Sequence, residues 1–292
     1  KKMSISCKEI HLSTLFLTIY LSKLYHFSII NAIAFYYISQ NLEVFNMEIT
    51  ELLPELITKL APTGPLPTTT PAQLAYWREL VTLREPGYLP TDYLQKEDEL
   101  LELLWQKRPL VTLEELDEVV PGLYLYQGDI TTLQVEAFVD PADPDLLGCF
   151  DPTHPCLDNE VHVFSGSRLR ETGHKLKQAG KTPLASGQTY VNPGHHLPAK
   201  YVIQAIAPTV HGVLQPEQIE ALRSCYAGIF EAVTKYQIKT IALCALGTGA
   251  ANFPNELAAK IAITAAKKAQ AKDPSLKIVL TPHKDLDLNL YR

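Results

Sequence analysis

KTIALCALGTGAANFPNELAAKIAITAAKKAQAK, residues 239–272, decides how the chain folds. Residues 239–246 are a short apolar run with no helical period, and they predict a buried strand. Residues 254–272, PNELAAKIAITAAKKAQAK, are a long run of strong helix formers without a glycine, which predicts a helix. Between them lies the punctuated loop GTGAANF, 247–253. Strand, glycine loop, helix is the unit of an α/β protein.

The same alternation extends outward. LYLYQGDIT (123–131) and EAFVDPAD (136–143) predict a strand, turn and strand, and EVHVFSGSRLRETGHKLKQAG (160–180) predicts one helix. QTYVNPG and YVIQAIAP (188–194, 201–208) predict strands around a turn, 215–237 a long helix and LKIVLTP (276–282) a last strand. Helices of this length between strands give a three-layer α/β/α architecture, in which ligands collect at the carboxyl ends of strands. Chemistry is therefore expected in the loops after VEAFVD and TIALCAL. Ahead of this region, 47–120 is helical and proline-punctuated, with helices at 47–60, 72–85 and 94–107, and contains no reactive cluster. It is expected to cap the α/β region, 121–292.

Composition limits the function classes. The chain has 292 residues, 46% of them hydrophobic and 20% charged, and a net charge of -6. That excludes a disordered chain and opposes a general nucleic-acid backbone binder, leaving a small-molecule or protein substrate. Five cysteines are odd in number and too few for a disulfide scaffold, so reduced thiols and a cytoplasmic setting are expected. Residues 12–38 read against that setting, being apolar enough for a membrane helix although Lys23 and His26 fall near the middle. Met47 opens an amphipathic helix of the kind that starts a soluble protein, so 1–46 is expected to be upstream sequence foreign to the native protein. The alternative is a membrane anchor.

In the first loop, LLGCFDPTHPCLDN (146–159) sets Cys149, His154 and Cys156 in a C-x4-H-x-C spacing. Two thiolates and an imidazole suit tetrahedral zinc, and three protein ligands leave one position open for water or a substrate oxygen. On spacing alone, two unrelated thiols and a surface histidine account for the loop equally well.

Taken with Gln127, Gly128, Asp129, Ile130 and Thr131 upstream, and with VDPAD, LDNEVH, YVIQAIAP and LGTGAANFP, the loop resembles a macrodomain. It is most similar to the zinc-dependent bacterial and fungal branch, whose loop has the form LLGCF-x-P-x-H-x-C-I-D-N-x-I-H. The match covers about 123–292, and the helical segment before it looks like that branch's additional N-terminal region.

The resemblance implies a mixed central sheet, bound Zn2+ and hydrolysis of ADP-ribose from ADP-ribosylated proteins. It assigns Asp129 and the Ile130 backbone to adenine, Asp143 and Asn159 to the substrate, and Gly247, Thr248, Gly249, Ala250, Asn252 and Phe253 to a diphosphate loop. Asp158 and Asp140 become the catalytic candidates, and a lipoyl-carrier protein and a sirtuin-like ADP-ribosyltransferase the implied partners. Without it, Asp129 reads as a turn cap and Asp158 as a helix N-cap.

Where the family has V-N-A-A-N, this chain has Val139, Asp140, Pro141, Ala142 and Asp143. Two such charges about 6 Å from a diphosphate would each cost about 3 kcal/mol at an effective dielectric near 20. Ala207, Ala251 and Asn252 also depart from the family pattern. A second expectation follows, a macrodomain that binds ADP-ribose without turnover. Cys225 and Cys244 read as core thiols, His195 and His196 as turn residues, His162 as packing and His283 as a residue near the adenine.

Overall fold

The computed structural model describes residues 48–282 and 285–291. The expectations for 1–46 and for His283 fall outside them.

Its sheet has seven strands, β1 (Asp117–Val120), β2 (Leu123–Leu125), β3 (Ala137–Asp140), β4 (Thr189–Pro193), β5 (Tyr201–Ala205), β6 (Thr240–Cys244) and β7 (Lys277–Thr281). The order across it is β1-β2-β7-β6-β3-β5-β4. β1 and β4 run antiparallel to their neighbours and the other pairings are parallel. This is the expected mixed α/β architecture. Parallel strands buried on both faces are mostly apolar, and β3, with all four residues buried between β5 and β6, is so up to its last residue, Asp140.

The helices are α1 (48–60), α2 (Thr70–Leu83), α3 (Thr91–Lys107), α4 (Leu157–Ser165), α5 (Ser167–Gln178), α6 (Pro216–Lys235), α7 (Asn255–Lys272) and α8 (Asp285–Tyr291). Connections β5-α6-β6 and β6-α7-β7 step across the sheet in one direction, so right-handed crossovers put α6 and α7 on one face, where they touch. The α4-α5 connection steps the other way, and α2 packs on α4. Trp77, Leu53, Leu56, Leu100 and Leu101 are completely buried and share one continuous core with the sheet. None of the helices among the described residues is long and apolar enough to cross a membrane.

Several local expectations are corrected. Residues 117–120 are an edge strand rather than the end of the helical segment, because their β-branched pair allows pairing with β2 across a short turn. LYLYQGDIT and EAFVDPAD do not pair with each other, since β2 pairs with β7 and β3 with β5 and β6. The single helix expected over 160–180 is two, parted by Gly166 at φ 86°, a left-handed conformation that ends α4. The buried Glu97 carboxylate of α3 then caps α5, accepting the Ser167 N–H at 2.8 Å and the Ser167 hydroxyl at 2.8 Å. Pro254 is the N-cap of α7 rather than a residue of its first turn.

Gly173 of α5 lies against the Leu146 carbonyl, where a Cβ would collide with backbone. A mid-helix Gly→Ala change ordinarily stabilises by about 1 kcal/mol. Here Gly173→Ala is expected to destabilise by about 1–3 kcal/mol. Gly249→Ala, with nothing within 4 Å of the added carbon, serves as the control for thermal unfolding. A stabilised Gly173→Ala protein contradicts the packing.

Candidate functional site

Because β3 and β6 are adjacent and parallel, their following loops open at one end of the sheet. The β3 loop, 141–156, is shaped by two anchors. Asp143 accepts the Asp145 N–H at 2.8 Å with Oδ1, and the Leu147 and Gly148 N–H groups at 2.8 and 2.7 Å with Oδ2. Arg170 of α5 donates from Nε to the Leu147 carbonyl at 2.7 Å and from Nη2 to the Cys149 carbonyl at 3.2 Å. Leu146 seats beneath the loop against Leu176 and Ile206.

Tight turns shape the loop's tip. Asp151 accepts from Thr153 N at 2.8 Å and its carbonyl from His154 N at 3.2 Å, while the His154 carbonyl accepts from Cys156 N at 2.9 Å. Cys149, His154 and Cys156 are thereby brought together, with all three donor atoms within 4.8 Å of one another and Cys149 Sγ 3.7 Å from His154 Nδ1. Donors about 2.0–2.3 Å from a tetrahedral zinc stand about 3.3–3.8 Å apart, so soft ligands at these separations fit that ion. Burial, with Cys149 and Asp158 alongside, pushes the Cys156 thiol up to about 12. Both cysteines are free of disulfides.

Cys156 is the N-cap of α4, so Asp158 falls in the first turn of that helix rather than at its cap. Asp158 is buried, and beneath it lie Asp140, at the end of β3, and His162, all three within 4.8 Å through their ligand atoms. Burial lifts Asp158 well above the carboxylate range, with the Asp140 and Asp143 charges adding to it. Burial lifts Asp140 to about 7, against the hydrogen bonds it receives. Two carboxylates so close in a dry interior cannot both ionise, so the pair holds a proton. Burial, then the charge of Arg170, lowers His162 to about 3, leaving a neutral imidazole.

Gln204 and Asn192, singled out by nothing in the motifs, complete this cluster. The Asn192 Nδ2 donates to Gln204 Oε1 at 2.6 Å, which turns Gln204 Nε2 toward Asp140 Oδ2 at 3.3 Å and His162 Nε2 at 3.4 Å. A lone amide in the apolar strand YVIQA was the available signal, since a buried amide must find partners.

Three of the residues expected at the substrate already have partners within the protein. The Asp143 carboxylate accepts three backbone N–H groups of its own loop. Asn159 spends its amide inside the protein, accepting from Thr82 Oγ1 at 2.9 Å and donating to the Asp151 carbonyl at 3.4 Å. Asp129 caps its turn, accepting from Thr131 N at 2.9 Å and Oγ1 at 2.6 Å, and pairs with Arg108, while Ile130 is buried beside it.

The β6 loop closes on itself through Phe253 N to the Gly247 carbonyl at 2.9 Å and Asn252 N to the Gly249 carbonyl at 3.1 Å. Buried Phe253 anchors it, Thr248 donates to the Ala245 carbonyl at 2.9 Å, and Gly249 and Ala250 form an exposed crown. Val210 N donates to the Ala251 carbonyl at 2.8 Å, joining the segment after β5 to the same mouth. Cys225 and Cys244 are core thiols, as expected. His195 is an exposed turn residue, whereas His196, half-buried, pairs with Asp98 at 2.8 Å.

The model of the Macro domain family matches residues 139–262. A protein-ADP-ribose hydrolase of Treponema medium is 30% identical over 231 residues, 77% of this chain and 88% of that protein. The chain belongs to the macrodomain family. A Staphylococcus aureus protein, also named protein-ADP-ribose hydrolase, is 29% identical over 220 residues, 74% of this chain and 82% of its own. Among solved folds, the Trypanosoma brucei macrodomain in complex with ADP-ribose superposes with a TM-score of 0.56 at 22% identity, over 73% of this chain and 93% of that one.

The raised Asp140 carboxyl fixes a pH dependence. Unfolded, the group ionises near 4; folded, it holds its proton to about 7. Its contribution to stability is thus complete below pH 4 and lost as pH rises through 7. In EDTA-treated protein, Asp140→Asn is expected to flatten that decline and to raise stability at pH 7.5 by on the order of 2–4 kcal/mol. Denaturant titrations across pH 4–8 check it, and parallel wild-type and variant profiles contradict it.

Proposed function

We propose that this macrodomain is a zinc-dependent hydrolase that removes ADP-ribose from ADP-ribosylated proteins. The observation that carries the reading is the meeting of Cys149, His154 and Cys156, the last capping the helix whose first turn carries Asp158 of the buried Asp140–Asp158 pair, at the strand ends where the β6 glycine loop also opens. The relatives' names, protein-ADP-ribose hydrolase, support the hydrolase part of the reading. Cys149, His154 and Cys156 would hold the zinc, which would supply Lewis-acid polarisation of an oxygen.

The chain's own residues do the rest. The Gly247–Ala250 backbone and the N-terminus of α7 receive the diphosphate, for which small residues and the helix dipole are suited. Asp129 and Ile130 bind the adenine end. Asp158 orients water toward the anomeric carbon of the distal ribose; the water oxygen bonds to that carbon as its bond to the protein side chain breaks, and the leaving atom takes up a proton. Asp140, through its contact with Asp158, sets that carboxyl's position.

One observation favours a module that binds ADP-ribose without turnover: Asp140 is wholly buried and Asp158 only 6% exposed, so water must reach Asp158 through a narrow opening. Incubating the chain with an automodified ADP-ribosyltransferase and following released ADP-ribose separates the two. The hydrolase reading expects close to one zinc per chain, and loss of both zinc and release in Cys156→Ser. Asp158→Asn is expected to keep the zinc and slow release by about 100-fold or more. A zinc-loaded wild-type chain that binds ADP-ribose and releases none establishes the binding module instead.

A further inference from the structure

We propose that Arg170 is a positioning residue for the metal ligand Cys149, and that through it helix α2, which contributes no ligand, sets how tightly the metal is held. The inference rests on the zinc reading above and concerns residues that reading does not use.

Arg170 is only 3% exposed, and its guanidinium is committed entirely to backbone. On one side it donates to the Leu147 and Cys149 carbonyls of the metal loop. On the other, Nη1 donates to the carbonyls of Val81, Thr82 and Arg84 at 2.8, 3.0 and 2.9 Å, where α2 ends and its last carbonyls lack helical partners. A planar fork with donors on both edges can join two such backbone segments; a lysine ammonium cannot span them. The Phe150 ring lies 4.5 Å from the same guanidinium, so both residues on the metal-loop side of the contact, 149 and 150, are held against it.

A second contact ties α2 to the loop. The Thr82 hydroxyl donates to Asn159 Oδ1 at 2.9 Å, and Asn159 Nδ2 reaches the Asp151 carbonyl at 3.4 Å. The end of α2 therefore meets the segment between the ligands at two points, near Cys149 through Arg170 and at Asp151 through Asn159. Backbone immobilised on both sides of a ligand loses little further freedom when a metal binds, and groups that hold ligands in place typically account for about 10- to 100-fold in metal affinity.

The experiment uses the full chain loaded with zinc and challenged with a chromophoric chelator, reading the rate of zinc release. Arg170→Lys is expected to release zinc about 10- to 100-fold faster, with the charge retained but the bridge lost. Thr82→Val, a milder change that leaves Arg170 in place, is expected to accelerate release by several-fold. Ile278→Ala in β7, which costs stability away from the loop, is expected to release zinc at the wild-type rate, separating local anchoring from general loosening. Zinc-loaded Arg170→Lys and Thr82→Val proteins that release at the wild-type rate overturn the proposal while leaving the zinc reading standing, as does Ile278→Ala accelerating release equally. If Arg170→Lys does not fold, Thr82→Val against Ile278→Ala decides. A wild-type chain that takes up no zinc refutes the metal reading itself, and the proposal with it.

Discussion

Two carboxyl groups, Asp140 and Asp158, meet inside the protein with no lysine or arginine paired to either among the described residues, and the site is arranged around that contact. Asp140 ends the fully buried central strand and Asp158 sits in the first turn of the helix that follows the metal loop. Arg170 is spent on five carbonyls and gives neither carboxyl a hydrogen bond. What remains is a shared proton, a neutral imidazole at His162 and an amide at Gln204 oriented by Asn192. Such a cluster costs stability near neutral pH. Its place at the strand ends, beside a set of soft metal donors, is where a family of hydrolases needs poised acids.

The helices ahead of the sheet belong to the same construction. Their apolar faces join the sheet's core, and their polar contacts concentrate on α4 and α5, where Glu97 caps α5, Arg78 pairs with Glu160 and Arg84 with Glu171. These two helices frame the loop that carries Cys149 and Cys156. Removing the helical segment would uncover residues it shields, such as Phe164, which packs on Trp105, and leave Arg170 with buried N–H groups unpaired, adding transfer and desolvation penalties beside the metal loop.

The fold was legible because it is written in local pattern. Apolar runs such as 239–246 followed by a run of helix formers at 254–272 read directly as strand and helix, and the C-x4-H-x-C spacing read as soft ligands. What escaped was non-local. Gly166 splits a helix whose apolar spacing continues through it, and its left-handed turn is held by Glu97, sixty-nine positions upstream. Asp143 carries the same charge whether it faces a diphosphate or three N–H groups of its own loop, and only the folded backbone decides between them. Gln204 and Asn192 lie on strands that pair antiparallel, and their meeting depends on register. Arg170 shares its helix with Arg168, Lys175 and Lys177, and nothing in the sequence sets it apart from them.

The central claim is that Cys149, His154 and Cys156 hold one zinc with a position left open. X-ray absorption at the zinc edge of the purified full chain measures that directly. The account predicts a four-coordinate ion with two sulfur neighbours at about 2.3 Å, one imidazole nitrogen at about 2.0–2.1 Å and one further light atom. A shell of nitrogen and oxygen alone, or of four sulfurs, would contradict it.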